Sequence, residues 1–445
     1  MAEVFQSSPQ APGLPETLAI VMKWRDVPTP MPEEEFHTAL AELTSSIELL
    51  EGKEDTMSQS VLAMALMVLG NIHRDHGFLE ESLPLYEKAL ENPGALDDGT
   101  PRGKNELANV VMNRGIALLS INDPERLPVA LEAFDRAIEL RTDLPLEEEP
   151  LFRWGLSAAW MNRGDVLHRL GERSAEAVAA YDTALSHLEK LPHQENPAYR
   201  QRLALAWANR GLVVTEPDEA RRCFDECITL MAEPQDPQQL LTLCNATLNR
   251  GRHSLQVLGD TNATAADARK VLEYLTPHER NHPAPAELAL QARHLLAHAL
   301  CTWLDSSRQG PGIAEDWIGD ATDTVEEALE VERFWEQHGL QALRPLASDL
   351  FELGLHVYRV CQPHFLADFM IESLDPEMSP GAPFDDPRFQ AAAARALRQA
   401  LNEAAERAAS TTLEPERQQK QLAIIQTLQS ADQRLAELQQ ALGTV

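Results

Sequence analysis

Along most of this chain apolar residues recur at intervals of three and four. Over 34–50 they are Phe36, Leu40, Leu43, Ile47 and Leu50, one stripe of a helix that turns about 100° per residue. Similar stripes follow almost without interruption to the last forty residues, where Leu428, Leu435 and Leu442 stand seven apart with Leu438 between, a seam of coiled-coil type. Continuous β-branched runs are lacking, so no sheet is expected.

A second pattern lies inside the stripes. Trp160 precedes Gly164 by four, and Ala177, Tyr181 and Ala184 follow at steps of four and three. The frame returns as Gly70 with Ser82, Tyr86 and Ala89, as Gly115 with Ala130, Phe134 and Ala137, and as Gly211 with Ala220, Phe224 and Cys227. Glycine offers no side chain, so a second helix can approach closely there. Small residues flanking one large ring suit such a crossing. One hairpin of this kind cannot bury its apolar face alone, so neighbours must stack.

These residues resemble the tetratricopeptide repeat (TPR), with its W-x2-L-G-x2-Y…A-x3-F pattern. The resemblance implies an all-α chain, a right-handed α-solenoid of TPR hairpins with helical caps at both ends, and a role in binding other proteins. The glycines at 70, 115, 164, 211 and 251 step by 45, 49, 47 and 40, longer than the plain repeat of about 34. Repeats of kinesin light chains also exceed that length.

The expected organisation is a Pro-rich, mobile segment over 1–33 with a short helix inside it, a capping helix over 34–57, and the repeat array over 58–285. Degenerate helical repeats over 286–374, a linker over 375–388 and C-terminal helices over 389–445 follow. The last of these either cap the array or pair with a second chain.

Two residues before four of these five glycines stands an asparagine: Asn113, Asn162, Asn209 and Asn249, while Val68 and Leu69 precede Gly70. On the helical wheel it points about 160° from the glycine, off the seam. Two readings stand. The amides hydrogen-bond backbone on solvated or inter-repeat faces, or they form a row along a concave groove. A side-chain amide carries donor and acceptor and can hold an extended peptide at both N–H and C=O. By resemblance, the row matches the Asn ladders of kinesin light chains and O-GlcNAc transferase.

The next residue is arginine, and the residue after the second-helix ring is aspartate in three repeats. This predicts intra-repeat ion pairs Arg114–Asp135, Arg163–Asp182 and Arg210–Asp225, with Arg250 meeting Glu273 in the fifth hairpin. Bidentate arginine–carboxylate geometry suits a partly buried crossing.

Composition narrows the partner. The net charge of −32 disfavours nucleic acid and anionic membrane surfaces, because phosphate binding needs dense Lys and Arg. It permits a basic protein or peptide. Five scattered cysteines point to free thiols in a reducing compartment. No basic-then-apolar leader and no apolar stretch of membrane length is visible, so a cytoplasmic chain is expected.

No phosphate-binding loop, dinucleotide fingerprint or nucleophile elbow is present. No catalytic residue, metal site or cofactor is therefore expected. His294 and His298 are four apart, but the zincin glutamate between them is missing. Chaperone-tail clamps need lysines where Met67 and Ala158 stand, and arginine where Asn162 stands. The leading expectation is a non-enzymatic scaffold or adaptor holding a protein or extended peptide in its groove. Alternatives are a kinesin-light-chain-like adaptor to a filament or cargo, and a regulatory subunit sensing a small ligand in 286–374, with Trp303, Trp317 and Phe334 lining a closed pocket.

Overall fold

The computed structural model describes residues 13–171, 173–306, 315–339, 342–361, 366, 387–409 and 415–441. Among them are seventeen α-helices and no strand. The chain divides into two compact units, Met1–Leu230 and Met231–Val445.

In the first unit, α1 (Leu14–Arg25) and α2 (Glu33–Leu50) precede four hairpins. These are α3 (Thr56–Asp75) with α4 (Leu79–Leu90), α5 (Pro101–Ile121) with α6 (Leu127–Thr142), α7 (Pro150–Arg169) with α8 (Ser174–Leu188), and α9 (Pro197–Val213) with α10 (Pro217–Leu230). Proline opens α5, α7, α9 and α10, where its missing N–H would have no helical partner anyway. Asp55, Thr100 and Asn196 cap α3, α5 and α9 by accepting from Ser58, Gly103 and Ala198 backbone N–H.

The glycine seam is confirmed in all four hairpins. A Cβ on Gly70, Gly115, Gly164 or Gly211 would stand 2.7, 2.9, 2.8 or 2.8 Å from a ring carbon of Tyr86, Phe134, Tyr181 or Phe224. No side chain fits there, so the glycines are a size requirement. Each helix packs on the next along the chain, and first helices also touch the first helices of neighbouring hairpins (α3 with α5, α5 with α7, α7 with α9). The second helices show no comparable contact among the described residues. The first-helix row is therefore the tighter, inward-curving side of this unit.

The N-terminal expectation needs correction over 13–33. Instead of running mobile, this segment is docked: Val21 and Trp24 are buried, Trp24 donates to Glu42 at 2.6 Å, and the Thr29 hydroxyl reaches Asp75. The alternating prolines hide two apolar anchors that α2 and α3 cover. Residues 1–12 lie outside the described residues.

In the second unit, α11 (Pro237–Gln256) and α12 (Thr261–Leu275) form a hairpin, followed by α13 (Pro283–Ser306), α14 (Glu315–Gln337) and α15 (Arg344–Cys361). The last two helices are α16 (Pro387–Ala409) and α17 (Pro415–Ala441). The repeat frame loosens here. A Cβ on Gly251 would meet Leu295 at 3.0 Å and Asp267 at 3.2 Å, not a ring, and α13 packs on both α14 and α15. Residues 375–386 of the expected linker, and Leu442 of the expected seam, lie outside the described residues. Leu428 and Leu435 pack back with Ala431 against Phe389, Ala393 and Leu397 of α16.

Candidate functional site

The first-helix row of the first unit carries the polar residues singled out above. Tyr86 and Tyr181 bury their rings against Gly70 and Gly164, and a buried phenol hydroxyl needs an acceptor. The residue after the glycine supplies it: Tyr86 donates to Asn71 Oδ1 at 2.9 Å, and Tyr181 donates to Asp165 Oδ1. The same oxygen then accepts from the next hairpin. Asn113 Nδ2 donates to Asn71 Oδ1 at 2.9 Å, and Asn209 Nδ2 donates to Asp165 Oδ1 at 3.1 Å. These three-residue brackets tie one repeat to its successor. Burial raises the Asp165 carboxyl above the usual carboxylate range, opposed by the bonds from Tyr181 and Asn209. It also pushes the Tyr86 and Tyr181 phenols up.

The other two hairpins carry phenylalanine, and the residue after the glycine is apolar: Ile116 follows Gly115, and Leu212 follows Gly211. The bracket is therefore readable from letters. Tyrosine goes with Asn or Asp after the glycine, phenylalanine with Ile or Leu.

The four asparagines consequently differ. Asn113 and Asn209 have their donor side committed to a neighbouring repeat. Asn249, in the second unit, accepts from Arg252 at 2.8 Å. The side chain of Asn162, the rung next to Ile116, makes no hydrogen bond among the described residues and is half-buried on the row.

The ion pairs form between repeats, not within them. Arg163 donates to Asp135 at 2.7 Å and Arg210 to Asp182 at 2.6 Å, while Arg114 reaches Glu87 at 3.4 Å. The expected pairings Arg114–Asp135, Arg163–Asp182 and Arg210–Asp225 are each off by one repeat. The residue before the glycine lies about 100° off the seam, on the flank where the preceding second helix packs. Arg210 also engages Glu219 at 2.6 Å within its own hairpin. Arg250 pairs with Asp267 at 2.5 Å rather than with Glu273, which bonds Lys270.

Two further arginines reach this row without any expectation from the repeat frame. Arg141, at the end of α6, is fully buried and runs between α5 and α7, where a Cβ on Gly155 would stand 2.8 Å from its Nε. Its donors meet Asn105 Oδ1 at 3.1 Å, Asn109 Oδ1 at 2.5 Å and Met112 Sδ at 3.4 Å. On α9, the Arg202 guanidinium lies 3.5 Å from the Trp154 ring centroid, and Trp154 also packs on Tyr199 at 5.1 Å. Burial pulls both arginines down to about 10.

The second unit has a cavity of about 430 Å³ between α13 and α15, lined by His294, His298, Cys301, Asp349, Glu352 and His356 among others. Burial lowers His294, with His298 adding and Asp349 opposing. Among the described residues no His, Cys, Asp and Glu cluster is arranged to hold a metal ion. The cavity does not include the expected Trp303 or Phe334, and the Trp317 side chain lies outside the described residues. No described helix is long and apolar enough to cross a membrane.

No family model matches the chain, and no curated protein does. Among solved structures it is similar to BtubC (BKLC) from P. vanneervenii, at 18% identity and TM-score 0.45, over 56% of this chain and 94% of that one. It is also similar to a Rap protein complexed with Competence and Sporulation Factor, at 14% identity and TM-score 0.41, over 97% of this chain and 99% of that one. A third similarity is to a signal transduction ATPase with a tetratricopeptide repeat sensor from Pyrococcus horikoshii, at 13% identity and TM-score 0.42, over 93% and 56%. None of these likenesses reaches a TM-score of 0.5. The architecture is that of a helical-repeat protein of tetratricopeptide type, as the glycine–ring seam in four stacked hairpins shows.

Proposed function

We propose that the first unit is a non-enzymatic scaffold that holds an extended segment of a partner protein along its first-helix row, with Asn162 as the central contact. The observation that carries this reading is the contrast between neighbouring rungs. Asn113 and Asn209 are drawn into inter-repeat brackets, whereas Asn162 keeps both donor and acceptor unengaged between them. Ala158, one turn earlier on the same face of α7, is small and buried and so leaves room beside it. An amide in that position can take one backbone N–H and one C=O of a passing strand. Asn113 and Asn209 still offer their oxygens as acceptors, so they extend the same track.

The test is affinity capture from a native lysate with the wild-type chain beside Asn162→Ala, followed by binding of the captured partner's segments as synthetic peptides. Loss of a partner by Asn162→Ala with an unchanged melting temperature supports the groove. A partner held equally by both chains removes Asn162 as the contact.

A second reading is favoured by one observation, the histidine-lined cavity within 286–374. There the second unit would take a small ligand. Its test is a thermal-shift screen of small polar compounds with His294→Ala beside wild type. A hit that shifts both chains equally places the ligand elsewhere.

A further inference from the structure

The chain carries 70 acidic against 38 basic side chains, and most described arginines near the first-helix row have a carboxylate partner. Arg163 has Asp135, Arg210 has Asp182 and Glu219, and Arg114 has Glu87. Arg202 has none within ion-pair distance among the described residues. Its guanidinium carbon lies 3.5 Å from the Trp154 ring centroid, its side chain is partly exposed and makes no hydrogen bond among the described residues, and its fork of N–H donors suits a planar acceptor. Arg141 is a second buried cation, and its bonded acceptors are all neutral. The charge of Arg202 disfavours that of Arg141, less strongly than Glu106 favours it, and Glu106 is itself bonded to Arg25 at 2.7 Å. A guanidinium in partly desolvated surroundings with no anion of its own is costly.

We propose that Arg202, held against the Trp154 ring, receives a carboxylate of the bound segment. The carboxylate is either the segment's C-terminus or an Asp or Glu side chain. This inference rests on the groove reading and names what the partner must carry. Trp154 and Asn162 lie eight residues apart on α7, about 12 Å by helical rise. An extended chain covers that in roughly four residues. The carboxylate thus sits about four residues from the peptide unit that Asn162 grips. The acidity of the whole chain suggests a basic partner; this spot selects an acidic group within it.

The experiment uses the full chain and four pools of random octapeptides labelled with an uncharged boron-dipyrromethene dye. The pools are free C-terminus without Asp or Glu, amidated C-terminus with Asp and Glu, both features, and neither. Fluorescence anisotropy is read for wild type, Arg202→Gln, Arg202→Lys and Asn162→Ala, with melting temperatures alongside. Wild type is expected to bind at least one carboxylate-bearing pool about tenfold or more tightly than the neutral amidated pool, the size of a charge-assisted hydrogen bond. The first two pools tell a terminal from a side-chain carboxylate. Arg202→Gln is expected to abolish the preference, and Arg202→Lys to restore part of it. Asn162→Ala is expected to weaken all pools alike. Pools bound without preference but lost in Asn162→Ala would overturn the carboxylate site and leave the groove. A preference lost in Arg202→Gln but untouched by Asn162→Ala would keep the carboxylate site and remove the Asn162 contact. No binding to any pool would overturn both.

Discussion

Replacing Tyr181 by Phe removes one oxygen from the buried end of the third hairpin. The ring keeps its place against Gly164, 1% exposed, but Asp165 loses a donor. A buried group stripped of a partner costs about 1–3 kcal/mol. The converse change, Asp165→Leu, leaves the Tyr181 hydroxyl without its acceptor and costs a similar amount. Made together, the two changes install the combination that the second and fourth hairpins already use, Phe134 with Ile116 and Phe224 with Leu212. The double variant is therefore expected within about 1 kcal/mol of wild type, since removing both partners of a buried bond is nearly neutral. The four chains form a double-mutant cycle with a coupling of about 1–3 kcal/mol, read from urea unfolding followed by far-UV circular dichroism at pH 7. Losses in the double variant equal to the sum of the singles would refute the bracket. The double variant also frees Asn209 Nδ2, and is expected to bind the peptide pools at least as well as wild type.

Further outcomes are expected from the same geometry. Gly164→Ala gains about 1 kcal/mol of helix propensity, but its methyl would press on Tyr181 at 2.8 Å. A net loss of about 1–2 kcal/mol is expected from overpacking, and an unchanged or higher melting temperature would count against the seam. Reversing both members of Arg163–Asp135 is expected to recover the loss from Arg163→Asp, whereas combining Arg163→Asp with Asp182→Arg recovers nothing. The Asp135 side chain is 47% exposed, so the effect stays under about 1 kcal/mol and needs careful melting curves. For Asp165 the folded-state carboxyl is raised above its unfolded value of about 3.9. Its stabilising share is full below that value and lost as pH rises through the folded one. The stability of wild type minus that of Asp165→Asn should therefore fall from about pH 4 upward. A flat or rising difference contradicts the burial argument.

The hairpins of the first unit are legible because one steric requirement, glycine under a ring, fixes each pair of helices locally. The second unit is less legible because Gly251 faces Leu295 and Asp267, and no ring marks its partner helix. The register of the ion pairs is not legible from spacing. A residue 100° off the seam lies between its own partner helix and the preceding one, and the letters Arg and Asp suit either. The brackets do leave a signal, in the covariation of Tyr or Phe with the residue after the glycine. The stacking of Arg202 on Trp154 leaves none, since the two stand 48 residues apart on neighbouring first helices with no fixed place in the repeat frame, and the burial of Arg141 depends on the gap at Gly155.

The tyrosine brackets separate where the groove's chemistry is written from where it is displayed. A Tyr hairpin closes the rung that follows it, and a Phe hairpin leaves that rung open, as Asn113 and Asn162 show. A phenol with its Asn or Asp acceptor, or a phenyl with Ile or Leu, thus programs the inner face, although the asparagines themselves never change. New binding patterns could arise by paired edits at the ring and at the residue after the glycine, with the asparagines on display left as they are.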